Sequence, residues 1–209
     1  MPSSALRAMI TVHKHSIRTV RMADERCGWV TADPLYLEYH DKEWGAPTTD
    51  ARELFEMLCL EGQQAGLSWI TVLKKRENYR RAFHGFDPQR VAAMTEQDVE
   101  NLLQDSGIIR HRGKIEAIIT NAKAYLAMEA SGENFVTFIW DFVGGRPQLN
   151  RWQALSQVPA KTEQSDAMSK ALKKRGFKFI GSTICYAFMQ ASGLVNDHLT
   201  GCMCYPKPR

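Results

Sequence analysis

Leu60-Glu61-Gly62-Gln63-Gln64-Ala65-Gly66-Leu67-Ser68-Trp69 gathers a carboxylate, two amides and an indole in one short window, with no Lys or Arg until Lys74. The residues leading into it (Phe55, Met57, Leu58, Cys59, Leu60) are apolar, so Glu61 is expected to emerge from a buried helix. A carboxylate in such a place is costly unless it is paired or hydrogen-bonded, which makes it a functional candidate. The competing reading is a frayed helix end beside Gly62, with the carboxylate in water. The window alone leaves both open.

A second set of reactive side chains lies at the two ends of the chain. Cys27 and His40 stand near the start, and His198-x-x-x-Cys202 near the end. The i, i+4 spacing puts the second pair on one helical face. Two Cys and two His complete a tetrahedral Zn²⁺ shell of the closed, structural kind, which would staple the termini and support the loop from Trp29 to Trp44. The interval from Cys27 to His40 is too long for a finger motif. Cys204 is a rival ligand, although two residues beyond Cys202 it is expected to point elsewhere. Ordinary reduced thiols and a surface His account for the same spacing.

The third candidate is electrostatic. Lys170, Lys173, Lys174, Arg175 and Lys178 lead into or enter the glycine-bounded turn Gly176-Phe177-Lys178-Phe179-Ile180-Gly181. Backbone N–H groups at the start of the following helix can hold a phosphate, and the cations add sequence-independent affinity for nucleic acid. Helix, Gly-x-x-x-x-Gly, helix resembles a helix-hairpin-helix element; a solvated basic helix face is the alternative. Arg110, His111, Arg112 and Lys114 form another basic turn, which either contacts the opposite strand or complements helix ends.

Helices must position these groups. Asp50 with Glu53 resembles a capping box ahead of Leu54, Phe55 and Leu58. Ser68 can cap a helix with Ile70, Val72 and Leu73 inward and Lys74, Lys75, Arg76, Arg80 and Arg81 exposed, until Asp87-Pro88 breaks the pattern. Thr95 with Asp98 opens a short helix carrying Val99, Leu102 and Leu103, which stops by Gly107. Ile115, Ile118, Ile119, Ala122, Tyr125 and Leu126 mark a long amphipathic helix from Arg112, and Phe135 to Val143 another, ended by Gly144-Gly145. Residues 146–164 look like a loop or linker. Ser165 caps a helix burying Met168, Ala171 and Leu172, and Ser182 or Thr183 caps the last helix, through Gly193. No strand alternation or internal repeat is evident, so the class is all-α.

The totals are compatible with this. The 209 residues suit one domain with a real core, and 44% hydrophobic with 24% charged residues is ordinary for a soluble protein. No apolar run approaches the ~20 residues of a membrane span. Arg7, Lys14, Arg18 and Arg21 in the acid-free arm account for the whole net charge of +4, so the remainder is neutral. Residues 1–23 read as a dispensable basic extension, because Met22-Ala23-Asp24-Glu25-Arg26 offers a second start. Residues 24–205 read as the domain, and 206–209 as a tail. Five cysteines without a signal peptide point to a reducing compartment, with Cys59 and Cys185 in the core.

Taken together, the segments resemble the DNA-3-methyladenine glycosylase I family, zinc-containing members of the helix-hairpin-helix glycosylase superfamily. The resemblance rests on Arg26-Cys27-Gly28-Trp29, Tyr39-His40-Asp41-Lys42-Glu43-Trp44-Gly45, Leu60 to Trp69, and Ser106-Gly107-Ile108-Ile109-Arg110-His111-Arg112-Gly113-Lys114. Toward the end it rests on Lys173-Lys174-Arg175-Gly176-Phe177-Lys178-Phe179 and Gly193-Leu194-Val195-Asn196-Asp197-His198. It covers about residues 24 to 205.

The resemblance implies monofunctional base excision of 3-methyladenine from alkylated double-stranded DNA after base flipping, by a monomer in the bacterial cytosol with no membrane partner. It implies one structural Zn²⁺ on Cys27, His40, His198 and Cys202. Glu61 and Tyr39 are then the catalytic pair, with Trp69, Trp29, Tyr36 and Gln64 around the base. DNA contacts fall to Lys174, Gly176, Lys178, Gly181, Ser182 and Thr183. Tyr36 either touches the pocket or packs, Trp44 either lines the site or, as the preferred reading, braces the metal loop, and Trp140 and Trp152 belong to packing. Where many superfamily relatives carry a catalytic Asp, this chain has Asn196; the adjacent Asp197 either faces away or orients His198. No Lys is placed as a Schiff-base nucleophile. A noncatalytic, zinc-stabilised damage-binding module is the alternative, and a structural zinc protein with merely solvated basic turns is a third.

Overall fold

A computed structural model describes residues 25–206; the basic arm read at 1–23 and the tail beyond 206 lie outside them. The described residues are mostly helical. In chain order the helices are α1 (Pro34–Lys42), α2 (Ala51–Gln63), α3 (Trp69–Leu73), α4 (Arg76–Ala82), α5 (Pro88–Ala92), α6 (Glu96–Leu102), α7 (Arg112–Ala130), α8 (Phe135–Asp141), α9 (Glu163–Lys174) and α10 (Ser182–Ala191).

The centre is α2. Asp50 starts it by accepting the N–H groups of Arg52 and Glu53, while Glu53 turns away to accept the Thr48 hydroxyl at 2.6 Å. The reciprocal half of the expected capping box is therefore not formed. From Leu58 to Gln63 every residue of α2 is buried, because α7, α10, α3 and α8 all pack around it. A helix covered on all sides carries its polar residues inside as well. That is why Glu61 is buried.

Local chemistry explains several departures from the sequence reading. The segment expected as a loop between Trp29 and Trp44 contains α1, started by Asp33 as N-cap and Pro34 in the first turn. Thr162 caps α9 and accepts the N–H of Ser165, which is the third helical residue rather than the cap. Gly181 precedes α10 with no side-chain cap, so neither Ser182 nor Thr183 has the capping role. Instead the Ser182 hydroxyl meets Ser165 Oγ at 3.0 Å. The run after Ser68 splits into α3 and α4, and Arg76 is not exposed: its side chain is 13% accessible and paired with Glu43. Pro88 does not only break the pattern; with Asp87 as N-cap it begins α5. Within residues 146–164, β1 (Gln148–Leu149) forms a parallel two-residue ladder with β2 (Val195–Asn196). Two paired residues leave no alternation to detect.

The capping box of Thr95 and Asp98 is formed, and α7 begins on His111 as N-cap. Gly193 is required by the crossing that follows α10. Its φ is +70, and a Cβ there would lie 2.3 Å from the backbone nitrogen of Pro47.

Candidate functional site

The end of α2, the start of α3, and α1 enclose one pocket of about 190 Å³. Trp29, Tyr36, Tyr39, Trp44, Glu61, Gln64, Trp69, Leu155, Val158, Ala187, Gln190 and Asp197 line it. The structure thus brings together all six residues read as catalytic or base-binding. Tyr36 is on the pocket wall rather than merely packed, and Trp44 is there as well. Among the described residues, no cationic side chain lines the pocket.

Glu61 is 3% exposed, and its Oε2 has no hydrogen-bond partner among the described residues. The same is true of Trp69 Nε1. An acceptor and a donor left unpaired in one pocket cost about 1–3 kcal/mol each. Burial pushes the Glu61 carboxyl up to about 8. Tyr39 is 1% exposed, and burial, reinforced by the charge of Glu61, holds its phenol well above the usual range. Tyr36 is shifted upward for the same two reasons. Both phenols therefore remain hydroxyl donors at neutral pH. The Tyr39 and Trp69 rings meet at a centroid distance of 5.6 Å.

Asp197 was left undecided by sequence, and the structure puts it on the pocket wall. Its Oδ1 accepts Asn150 Nδ2 at 2.6 Å and Trp152 Nε1 at 2.8 Å. Its Oδ2 accepts the Tyr186 hydroxyl at 2.5 Å and Gln190 Nε2 at 2.8 Å. Four neutral donors surround one buried carboxylate, and Trp152 is one of them rather than simple packing. No sequence window shows this, because its partners come from two separate segments, Asn150 to Trp152 and α10. Asn196 is turned to backbone work, accepting the N–H of His198 at 3.2 Å and donating to the Gly45 carbonyl at 3.4 Å.

Cys27, His40, His198 and Cys202 converge, although His198 and Cys202 lie in the irregular chain after β2 and not on the helical face that their i, i+4 spacing suggested. Their ligand atoms all lie within 4.8 Å of one another, and all four residues are buried. Metal–sulfur and metal–nitrogen bonds of about 2.3 and 2.0 Å in a tetrahedron separate S from N by about 3.5 Å. The observed separations are 3.5 Å from Cys202 Sγ to His40 Nε2, 3.5 Å from Cys202 Sγ to His198 Nδ1, and 3.7 Å from Cys27 Sγ to His198 Nδ1.

The outer nitrogens are held too: His40 Nδ1 by Asp41 at 2.8 Å and His198 Nε2 by the carbonyl of Trp44 at 2.9 Å. Such outer partners orient imidazole ligands. Asp41 in turn is gripped by Arg26. Burial lowers His198 to about 4 and raises Cys27 to about 12, so the imidazoles are neutral and the Cys27 thiol needs a cation to ionise. The cluster fits a four-coordinate metal. Cys204 faces the other side of His40, with its sulfur 4.0 Å from Nδ1. Trp29 joins the cluster to the pocket, its ring 5.2 Å from His40, 5.0 Å from Trp44 and 5.1 Å from Tyr36.

The turn between α9 and α10 is packed against the pocket helix. Gly176 has φ +92 and Phe179 φ +53. Asn121 clamps the Lys178 backbone, accepting its N–H at 2.7 Å and donating to its carbonyl at 3.2 Å. Lys174, Lys178 and Thr183 are exposed, while Ser182 and Gly181 are half-buried. Arg175 does not join the exposed cations, because Glu133 binds it and its guanidinium lies 4.3 Å over Phe138. In the other basic turn, Arg112 is tied to Glu96, Glu100 and Glu116, and Lys114 is buried.

Comparison with known proteins gives a consistent picture. A sequence profile of the methyladenine glycosylase family matches residues 29–205. The chain is 70% identical over 182 residues to DNA-3-methyladenine glycosylase 1 of Escherichia coli (strain K12), covering 87% of this chain and 97% of that protein. A crystal structure of 3-methyladenine DNA glycosylase I superposes with a TM-score of 0.86 at 69% identity, covering 87% of this chain and 100% of the other. The Staphylococcus aureus enzyme, whose structure was described for its recognition of 3-methyladenine, superposes with a TM-score of 0.85 at 42% identity, covering 90% of this chain and 100% of that one. This chain belongs to the methyladenine glycosylase family.

Proposed function

We propose that this chain removes 3-methyladenine from alkylated double-stranded DNA by hydrolysing its N-glycosidic bond, as the first step of base-excision repair. The observation that carries the reading is the pair of buried, unpartnered groups, Glu61 Oε2 and Trp69 Nε1, in one aromatic pocket. A pocket built to hydrogen-bond a ligand leaves such groups unpaired until the ligand arrives.

The charge agrees. 3-Methyladenine in DNA is cationic, and Glu61 and Asp197 face the pocket with no lining cation to neutralise them. Trp69 and Trp29 offer ring faces, worth about 0.5–2 kcal/mol per cation–π contact when desolvated. The Glu61 carboxylate accepts from the amino edge of the base, and the protonated Tyr39 donates. The damaged nucleotide leaves the stack more cheaply than a normal one. Leu67, 41% exposed between Gln64 and Trp69, is an apolar side chain able to occupy the vacated space.

In the chemical step the bond from the sugar C1′ to the base breaks and its electron pair goes to the base, which departs neutral. The oxocarbenium-like sugar takes the oxygen of a water molecule, whose proton passes to solvent, so the cation's charge leaves as that proton. No proton need be delivered to the leaving group, so a carboxylate that selects a cation suffices. Lyase chemistry has no nucleophile here, since no Lys lines the pocket.

Cys27, His40, His198 and Cys202 hold one Zn²⁺ in this reading. A closed four-ligand shell supplies structure rather than an open Lewis-acid position. Lys174, Gly176, Lys178, Gly181, Ser182 and Thr183 take the DNA backbone as a helix-hairpin-helix, with exposed cations beside the start of α10. The protein acts as a monomer in the cytosol, where its unbridged cysteines stay reduced.

The test is incubation of alkylated duplex DNA with the purified protein, followed by chromatography of the released bases. Free 3-methyladenine is expected. Tight binding to the alkylated duplex without base release would replace this reading with a noncatalytic damage-binding module.

A further inference from the structure

Lys114 stands in a basic run read as either contacting a DNA strand or complementing helix ends, and its side chain is 6% exposed. Its Nζ donates to the carbonyl of Gln63 at 2.7 Å and to that of Ala65 at 2.7 Å. These are carbonyls at the end of α2, where a helix runs out of its own donors and carries partial negative charge. The link is reciprocal. Gln63 Nε2 donates to the Lys114 carbonyl at 3.1 Å, and Gln63 Oε1 accepts the Tyr79 hydroxyl at 3.1 Å. The Tyr79 oxygen in turn accepts the N–H of Ile109 at 3.1 Å. The end of the pocket helix, the start of α7 and the turn before it are thus closed into one hydrogen-bonded ring.

Among the described residues, no carboxylate partners Lys114. A buried ammonium satisfied only by carbonyls is expensive, and a methionine would fill similar space without that cost. What the ammonium holds explains why it is there. Gln63 and Ala65 flank Gln64, a pocket residue, and the turn continues through Gly66 at φ +78 to the exposed Leu67 and then Ser68. Two backbone bonds brace the turn itself, Gln64 N–H to the Glu61 carbonyl at 3.1 Å and Leu67 N–H to the Gln64 carbonyl at 2.6 Å. Charge-assisted bonds from Lys114 are stronger than either.

We infer that Lys114 is a positioning residue for the mouth of the pocket: its ammonium fixes the Gln64–Ser68 turn so that Gln64 and Leu67 meet the duplex in one geometry. Recognition of the base by Glu61 and Trp69 does not depend on it. The inference rests on the proposed glycosylase activity and deepens it.

The test compares Lys114→Met with the unaltered protein in two assays. Single-turnover release of 3-methyladenine from alkylated duplex is expected to fall by about 10–100-fold, the effect of misplacing groups by about an ångström. Affinity for free 3-methyladenine, read from quenching of the pocket tryptophans, is expected to fall far less than the release rate, because Glu61 and Trp69 keep their places and only Gln64 shifts. If Lys114→Met does not fold, Lys114→Gln, which keeps one amide donor, takes its place with a smaller loss of the same kind. Because Lys114 acts through the turn, Lys114→Met is expected to add little to Leu67→Ala. Equal losses in both assays, no loss in duplex release, or independent multiplication of the two substitutions would overturn the inference. An unaltered protein that releases no base would instead remove the activity on which it rests.

Discussion

Glu61 concentrates the electrostatics of the site in one group. Its burial leaves the carboxyl protonated in the folded chain up to about pH 8, whereas in the unfolded chain it ionises near its ordinary value of 4.5. A folded pKa raised above the unfolded one gives stability that is complete below about 4.5 and is lost as pH rises towards about 8. Glu61→Gln removes that loss. The variant is therefore expected to melt above the unaltered protein at pH 9 and much closer to it at pH 4, which paired thermal melts at the two pH values check. The cationic base reverses the balance when it binds, because it favours the ionised form. This residue was legible in sequence from its apolar approach. Asp197 was not, since its four donors lie 7 to 47 positions away; for Lys114 the basic run offered a helix-end contact as one of two readings, without naming the helix.

At the scale of elements, the hairpin and the pocket helix touch at Gly62. A Cβ at Gly62 would lie 3.0 Å from the Phe179 carbonyl oxygen and 3.2 Å from Phe179 Cβ, so backbone of the hairpin turn would have to give. Gly62→Ala is expected to weaken binding to alkylated duplex by about tenfold, a shift of about 1.4 kcal/mol, while leaving metal content unchanged. A fluorescence-anisotropy titration with a labelled duplex, beside metal analysis, reads both. The helices themselves were largely readable from apolar spacing and start signals such as Thr95 with Asp98. Caps were less so, because Thr162 competes with Ser165 and a bare Gly181 replaces Ser182. The first helix escaped detection because Glu38, His40, Asp41 and Lys42 interrupt its apolar face, and its burial comes from contacts with distant residues.

Across the whole molecule, the Cys/His cluster and the pocket share a wall. Trp29 and Trp44 line the pocket and pack on His40 and His198, and the ligands join the first described residues to the last. Sequence offered the His198–Cys202 pair by spacing, but only α1 brings His40 to Cys27. Cys202→Ala is expected to lose the metal and several kcal/mol of stability, as structural zinc sites do, with base release falling because the aromatic wall loosens. Metal analysis and denaturant midpoints follow it. Glu61→Gln provides the opposite case, since it leaves all four ligands in place. The most direct test of the account is single-turnover release of 3-methyladenine from alkylated duplex by Glu61→Gln that carries its full metal complement and melts at or above the unaltered protein at pH 8. A rate lowered by about 10–100-fold is expected, the loss of one charge-assisted bond of about 1.5–3 kcal/mol; release at the unaltered rate would contradict a recognition role for the Glu61 carboxylate.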